Sequence, residues 1–216
     1  MTKAQLFLTG FALSIALINP VTATPIYNEV GDAGESINTA QALPGGVSTV
    51  YGSVTAGTAD IYGFSWGGGD FYVSSIGSTF DSQLFLFNNN GFGIQANDDG
   101  IAIAGPAYLQ LSALAMGNYF LGISGYDFDP RTADNNLMFQ SYPWENLYGP
   151  QTNQPLDHWA GSNQGGNYTI QFAQITQQGE IINQLQTSTV PEPASIALLA
   201  TGLFGYGASR RKKEQG

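Results

Sequence analysis

Gln83-Leu84-Phe85-Leu86-Phe87-Asn88-Asn89-Asn90-Gly91 is the stretch that decides how this chain folds. A strand with one face in water alternates apolar and polar side chains. The unbroken run Leu84 to Phe87 therefore predicts a strand covered on both faces. Asn88 to Gly91 is the strongest turn signal in the chain, because Asn and Gly accept the positive φ of tight hairpin turns. Phe92 to Ala96 is expected to pair back on the run.

Upstream, Ser48 to Val54 reads as a strand, and Tyr62, Phe64 and Trp66 fall on one face of the next. Gly67-Gly68-Gly69 is a hairpin-type break before Phe71 to Ile76. Ser36 to Leu43 reads as either a helical turn or an edge segment. Downstream, Asn97-Asp98-Asp99-Gly100 turns the chain, and Tyr108, Leu109 and Leu111 mark a strand. Tyr119 to Ser124 is a near-continuous apolar run. Asn167 to Ile175 returns to strict alternation, with Tyr168, Ile170 and Phe172 inward. Between these last two, about 127–166, the pattern lapses into a stretch with Pro130, Pro143, Pro150 and Pro155. A structureless loop of that length is unusual, so an ordered insertion is expected, with a short helix near Asn136 to Gln140. Short strands at regular spacing with turns between them predict an all-β protein, an antiparallel β-sandwich or jelly roll spanning 24–176.

Charge narrows the function classes. Arg131 is the one Lys or Arg between residues 24 and 189, against fourteen of the sixteen acids, a net charge of −13. Nucleic acid is excluded as an ordinary partner, since it needs a cationic footprint. Cations are favoured, calcium above all, because its hard charge takes oxygen ligands. High net charge serves solubility equally well. There is no cysteine, so the domain holds together by its core or by a metal.

Both ends read as addresses. Lys3 precedes an apolar run from Ala4 to Ile18, Asn19-Pro20 breaks it, and Val21-Thr22-Ala23 is a small-residue cleavage pattern. Residues 1–23 are thus expected to be a signal peptide with a helical apolar segment. An amide-rich linker is expected at 177–189. Then come Val190-Pro191-Glu192-Pro193, an apolar span from Ala194 to Ala208, and Arg210-Arg211-Lys212-Lys213. As a helix the apolar span reaches roughly 22 Å, and Ser209 and snorkelling cations extend it toward a ~30 Å hydrocarbon core. The basic run would lie on the cytoplasmic side. Residues 190–213 resemble a PEP-CTERM protein-sorting signal with its transmembrane helix. The resemblance implies export through the inner membrane, transient anchoring there, and processing by an exosortase near Pro-Glu-Pro. Its product would reside at the cell surface or in the extracellular polysaccharide matrix.

The middle resembles a second family, the bacterial pre-peptidase C-terminal domains. The matching pieces are Asp32 to Ala42, Asp60-Ile61-Tyr62-Gly63-Phe64, Asp81-Ser82-Gln83-Leu84-Phe85-Leu86-Phe87-Asn88, Asn97-Asp98-Asp99-Gly100 and Gly117-Asn118-Tyr119-Phe120-Leu121-Gly122-Ile123. The resemblance implies a jelly-roll-like β-sandwich without catalytic residues, in a family where some members bind calcium or an extracellular polymer. This chain departs from it in its insertion and in carrying no peptidase domain.

Two metal-ligand sets follow. Asn28, Glu29, Asp32 and Asp60 join the acidic lead-in to a strand turn, and related collagen-binding domains take ligands from these regions. Asn97, Asp98 and Asp99, with Asp81, form the second; such a turn either collects a cation or closes on its own Asx hydrogen bonds. The spacing is not that of an EF-hand. Tyr142, Trp144, Tyr148 and Trp159 either stack on a polymer or pack the insertion down. The expected function is that of an exported, non-catalytic surface or matrix protein, with Ca2+ as ligand and exopolysaccharide as partner. The alternative is a secreted hydrolase, with His158 beside Asp157, or Asp127 with Asp129, as its candidate groups.

Overall fold

The computed structural model describes residues 25–100, 105–140, 142–162 and 164–174. The expected signal peptide, linker and sorting tail, with their two helices, lie outside these residues. The described residues form twelve strands: β1 (Ile26–Asn28), β2 (Gln41–Ala42), β3 (Thr49–Val54), β4 (Ala59–Trp66), β5 (Gly69–Ser74), β6 (Ser82–Asn88), β7 (Gly93–Asn97), β8 (Tyr108–Leu114), β9 (Gly117–Gly125), β10 (Phe128–Arg131), β11 (His158–Gly161) and β12 (Gly166–Gln174). Among them no helix is long and apolar enough to cross a membrane.

Two five-stranded sheets are arranged as a sandwich. Their orders are β1-β3-β12-β5-β8 and β2-β4-β9-β6-β7. Short β1 and β2 add in parallel at one edge of each sheet, and the other pairings are antiparallel. Ser36 to Leu43 thus supplies both a turn and the edge strand β2. Val50, Phe71, Val73, Leu109 and Ile170 from the first sheet meet Tyr62, Leu84, Leu86, Leu121 and Ile123 from the second. Burial of each such side chain contributes about 1.5–3 kcal/mol.

The second sheet is apolar on its outer face too. Ile61 of β4 and Phe85 and Phe87 of β6 point away from the sandwich core into a second cluster with Phe128, Met138, Phe139 and Trp159. The cover comes from the 127–166 insertion, which is ordered. β10 and β11 pair antiparallel across it, Pro130 opposite Trp159. The intervening loop is bridged to the sheet edge at Phe92–Pro155 and Ala96–Tyr148. Three layers result, and β6 is buried on both faces as its composition requires.

Two expectations are corrected. No helix forms at Asn136 to Gln140. Leu137 and Phe139 instead make bridges to Arg131 and Pro150, and Met138 exchanges backbone bonds with Pro130 and Gln151. Extended backbone there drops Met138 and Phe139 onto the sheet, and a helix would use those backbone groups internally. Gly67-Gly68-Gly69 is not a hairpin either, because β4 and β5 lie in different sheets. Gly68 and Gly69, at φ of 90° and 99°, carry the chain from one sheet to the other. Of sequential strands, only β6–β7 and β10–β11 pair directly among the described residues.

Trp159 seats on Gly122 of β9. A Cβ there would lie 3.0 Å from the indole and 3.3 Å from Phe87. Gly122→Leu is therefore expected to lift the insertion from the sheet. Stability should fall by about 1–3 kcal/mol, and limited proteolysis should cut first within 132–157. Denaturant titration and cleavage mapping check both outcomes.

Candidate metal centre

Asp81 stands just before β6, and Asp98 and Asp99 just after β7. The hairpin pairs Leu84 with Asn97, so all three acids meet at its open end. Each offers a carboxylate oxygen within 4.8 Å of the others'. Asp98 and Asp99 are only 5% and 4% exposed. Both oxygens of Asp98, Oδ1 of Asp81 and Oδ1 of Asp99 are buried and accept no hydrogen bond from the described residues. An unpaired buried carboxylate costs several kcal/mol, so it must take a proton or a cation. Burial, then the charges of Asp81, Asp99, Asp129 and Asp127, push the Asp98 carboxyl up to about 8. Burial, then Asp99, also raises Asp81. Arg131 is not the counter-ion here; its Nη1 donates to the Asn135 carbonyl.

Three carboxylates with no thiol or imidazole suit a hard divalent ion, Ca²⁺ before zinc or copper. Together they supply three to six of the six to eight oxygens that calcium takes, leaving positions for water or a ligand. Asn97 does not join them. Its Oδ1 accepts from Tyr108 N at 3.0 Å, and its Nδ2 donates to the carbonyls of Asn146 (3.0 Å) and Trp144 (3.4 Å). It ties the insertion to the hairpin instead, as does Asp99 N, which donates to Trp144 O at 3.0 Å.

The other expected set has a different chemistry. Glu29 accepts from Ala33 N (3.0 Å) and Ser53 N (2.8 Å), and Asp32 from Gly34 N (2.9 Å). Asn28 is exposed on β1. Glu29, Asp32 and Asp60 do not converge as the three acids of the hairpin do. Asp60 is 2% exposed in the sandwich core. It accepts from Tyr168 OH at 2.6 Å, and that hydroxyl also bonds Tyr62 OH. Tyr168 reaches this position because Gly52 opposite it has no side chain; a Cβ there would overlap the phenol. Burial lifts the Asp60 carboxyl to about 7. The Tyr168 bond opposes the lift, and the charges of Glu29 and Asp32 and a hydrogen bond with Glu29 add to it. A proton on Asp60, with the Tyr168 hydroxyl donating to its carboxyl, meets the burial here.

The hydrolase candidates make the following contacts among the described residues. His158 Nδ1 lies 2.9 Å from Asp157 Oδ2 and its Nε2 3.3 Å from Asn135 Oδ1, with no serine hydroxyl among these partners. Asp129 is buried beside Gln83 Nε2 at 3.4 Å, while Asp127 is exposed in the turn after β9. The four insertion aromatics divide. Trp159 is buried, stacks on Phe128 and donates Nε1–H to Glu35 O at 2.8 Å. Tyr148 OH donates to Pro143 O at 2.8 Å. Tyr142 and Trp144 pack edge to face near the surface, with Tyr126 beside them. Tyr168 reaches Asp60, and Tyr126 the Asp81 backbone, only through the fold, so no local pattern in the sequence announces either pairing.

Residues 189–212 match the PEP-CTERM protein-sorting motif. The motif implies export, a membrane-anchored precursor and processing by an exosortase, consistent with a cell-surface location. A search of curated proteins finds no match for the chain.

The fold binds the Asp60 proton more tightly than the unfolded chain, whose ordinary carboxyl titrates near 3.8. The stability this group contributes is therefore complete below about pH 4 and is lost as pH rises through about 7. In chelator, wild-type stability should fall between pH 5 and 8. Asp60→Asn mimics the protonated form and should show a distinctly smaller fall, read as the shift in denaturation midpoint between the two pH values.

Proposed function

We propose that this is an exported, non-catalytic protein of the cell surface or extracellular matrix, whose sandwich binds calcium at Asp81, Asp98 and Asp99. The observation that supports calcium is the convergence of three buried or half-buried carboxylates, an oxygen from each within 4.8 Å of the others', with four of their oxygens unpartnered among the described residues. A fold without disulfides and with thirteen excess negative charges gains from a divalent cation at its most crowded acids. The resemblance to pre-peptidase C-terminal domains supports the same reading. Matrix polysaccharide is the partner class that fits a surface protein of this kind.

The full chain, purified in mild detergent, should melt higher in millimolar calcium than in chelator. At a hundredfold excess over Kd the gain is about 2.7 kcal/mol, or roughly 5–10 °C for a domain of this size. Asp98→Asn should abolish most of the shift. An unchanged Tm with calcium in the wild type would sink the reading. For the sorting step, Pro191→Ala with Glu192→Ala should leave uncleaved precursor in the inner-membrane fraction, seen as a larger band on immunoblots.

A further inference from the structure

The acid centre does not end in solid protein. A cavity of about 420 Å³ opens beside it, lined by Asp81, Tyr126, Ser162 and Gln164. That is within the size range of small-ligand sites, which combine an apolar wall with a few placed polar groups. Of the described lining residues Tyr126 is the aromatic one, and it continues into a ring cluster beside the cavity. Tyr126 is 44% exposed and Tyr142 64%, and both rings pack edge to face on Trp144, at 6.4 and 5.1 Å between centroids. Exposed, clustered rings with polar tips are costly to leave bare and are typical of contact surfaces.

The rings and the acids are fixed to one another. Tyr126 N donates to Asp81 O at 2.9 Å, and Asp99 N to Trp144 O at 3.0 Å. The ring cluster and the acids thus share two backbone hydrogen bonds. An ion held by three carboxylates keeps free coordination positions, and Asp81 faces both the ion's place and the cavity.

Resting on the calcium reading, we infer that this cavity binds a neutral polysaccharide. Vicinal hydroxyls would complete the coordination of the ion, a sugar ring would lie against Tyr126, Tyr142 and Trp144, and Ser162 and Gln164 would hydrogen-bond the remaining hydroxyls. The charge around the site selects a neutral chain: Asp127 is exposed next to Tyr126, and no Lys or Arg side chain lines the cavity among the described residues. An anionic chain would meet repulsion from every acid the ion does not neutralise.

The test is the migration of the full chain, in mild nonionic detergent, through native gels cast with mannan, dextran or alginate, with calcium or with chelator. Retardation by at least one neutral polymer, in calcium only, is expected. Tyr142→Ala should weaken it about tenfold, the loss of one hot-spot ring, while keeping the calcium-induced rise in Tm. Asp98→Asn should lose both retardation and rise. A calcium-induced rise with no retardation by either neutral polymer overturns the saccharide inference and leaves the calcium reading standing. Equal retardation in chelator overturns the role of the ion in binding, and retardation by alginate alone overturns the neutral ligand. Absence of any calcium effect on Tm removes both readings together.

Discussion

Leu84 and Leu86 point into the space between two sheets, while Phe85 and Phe87 point the opposite way, under Met138, Phe139 and Trp159. That two-sided burial of β6 is the constraint on which the rest depends. A sandwich alone would leave Phe85 and Phe87 in water, an exposed aromatic patch on the central part of a sheet. The 127–166 insertion removes the patch, and its position is set by that task. Trp159 fits over Gly122, and the loop between β10 and β11 is carried along the hairpin edge. This route delivers Trp144 to Asp99 and places Asn97 within reach of Asn146. The acid centre therefore owes its burial to hydrophobic packing on the far side of the same strands.

Acids in low dielectric have few ways to remain, and this chain uses two. In the core between the sheets, Asp60 has Tyr168 as donor and Glu29 as neighbour, so a proton on Asp60 removes its charge and the Tyr168 hydroxyl satisfies its oxygen. At the hairpin end no hydroxyl or amide of the described residues reaches the Asp98 oxygens, and two further carboxylates stand close by. A single proton leaves two of the three acids charged there. The contrast separates two acidic clusters that look alike in sequence: donors reach each acid of one, and among the described residues none reach Asp98 in the other.

Most strands were legible because their signals are local. Alternation in Asn167 to Ile175, the unbroken run at β6 and the Asn-rich turn after it each depend on neighbours in the chain. Asn88 accepts from Asn90 N and Phe92 N, which is the turn chemistry its residue type implies. The partners of these strands were not legible. β3 pairs with β12, more than a hundred residues away, and no short-range pattern encodes that choice. Gly67 to Gly69 has the composition of a hairpin turn, yet the apolar faces of β4 and β5 bury better in opposite sheets. For the acid centre, Asp98 and Asp99 were visible as adjacent acids in a turn. Asp81 joins them only through the register of β6 with β7, and Tyr126 only through the turn after β9. The insertion's strands β10 and β11 are short and contain Pro130, so no periodicity announced them.

Export gives the acid centre a direction in time. Extracellular calcium modules bind with Kd of about 10⁻⁴–10⁻³ M, concentrations found outside cells and not in the cytosol. On the calcium reading, Asp81, Asp98 and Asp99 repel one another where calcium is scarce, so the hairpin end, and the insertion resting on it, gain their last stabilisation only after export. A centre built on thiolates would instead depend on the redox state of each compartment, and this chain has none. The Asp60 network between the sheets, which needs only a proton, is by contrast independent of calcium.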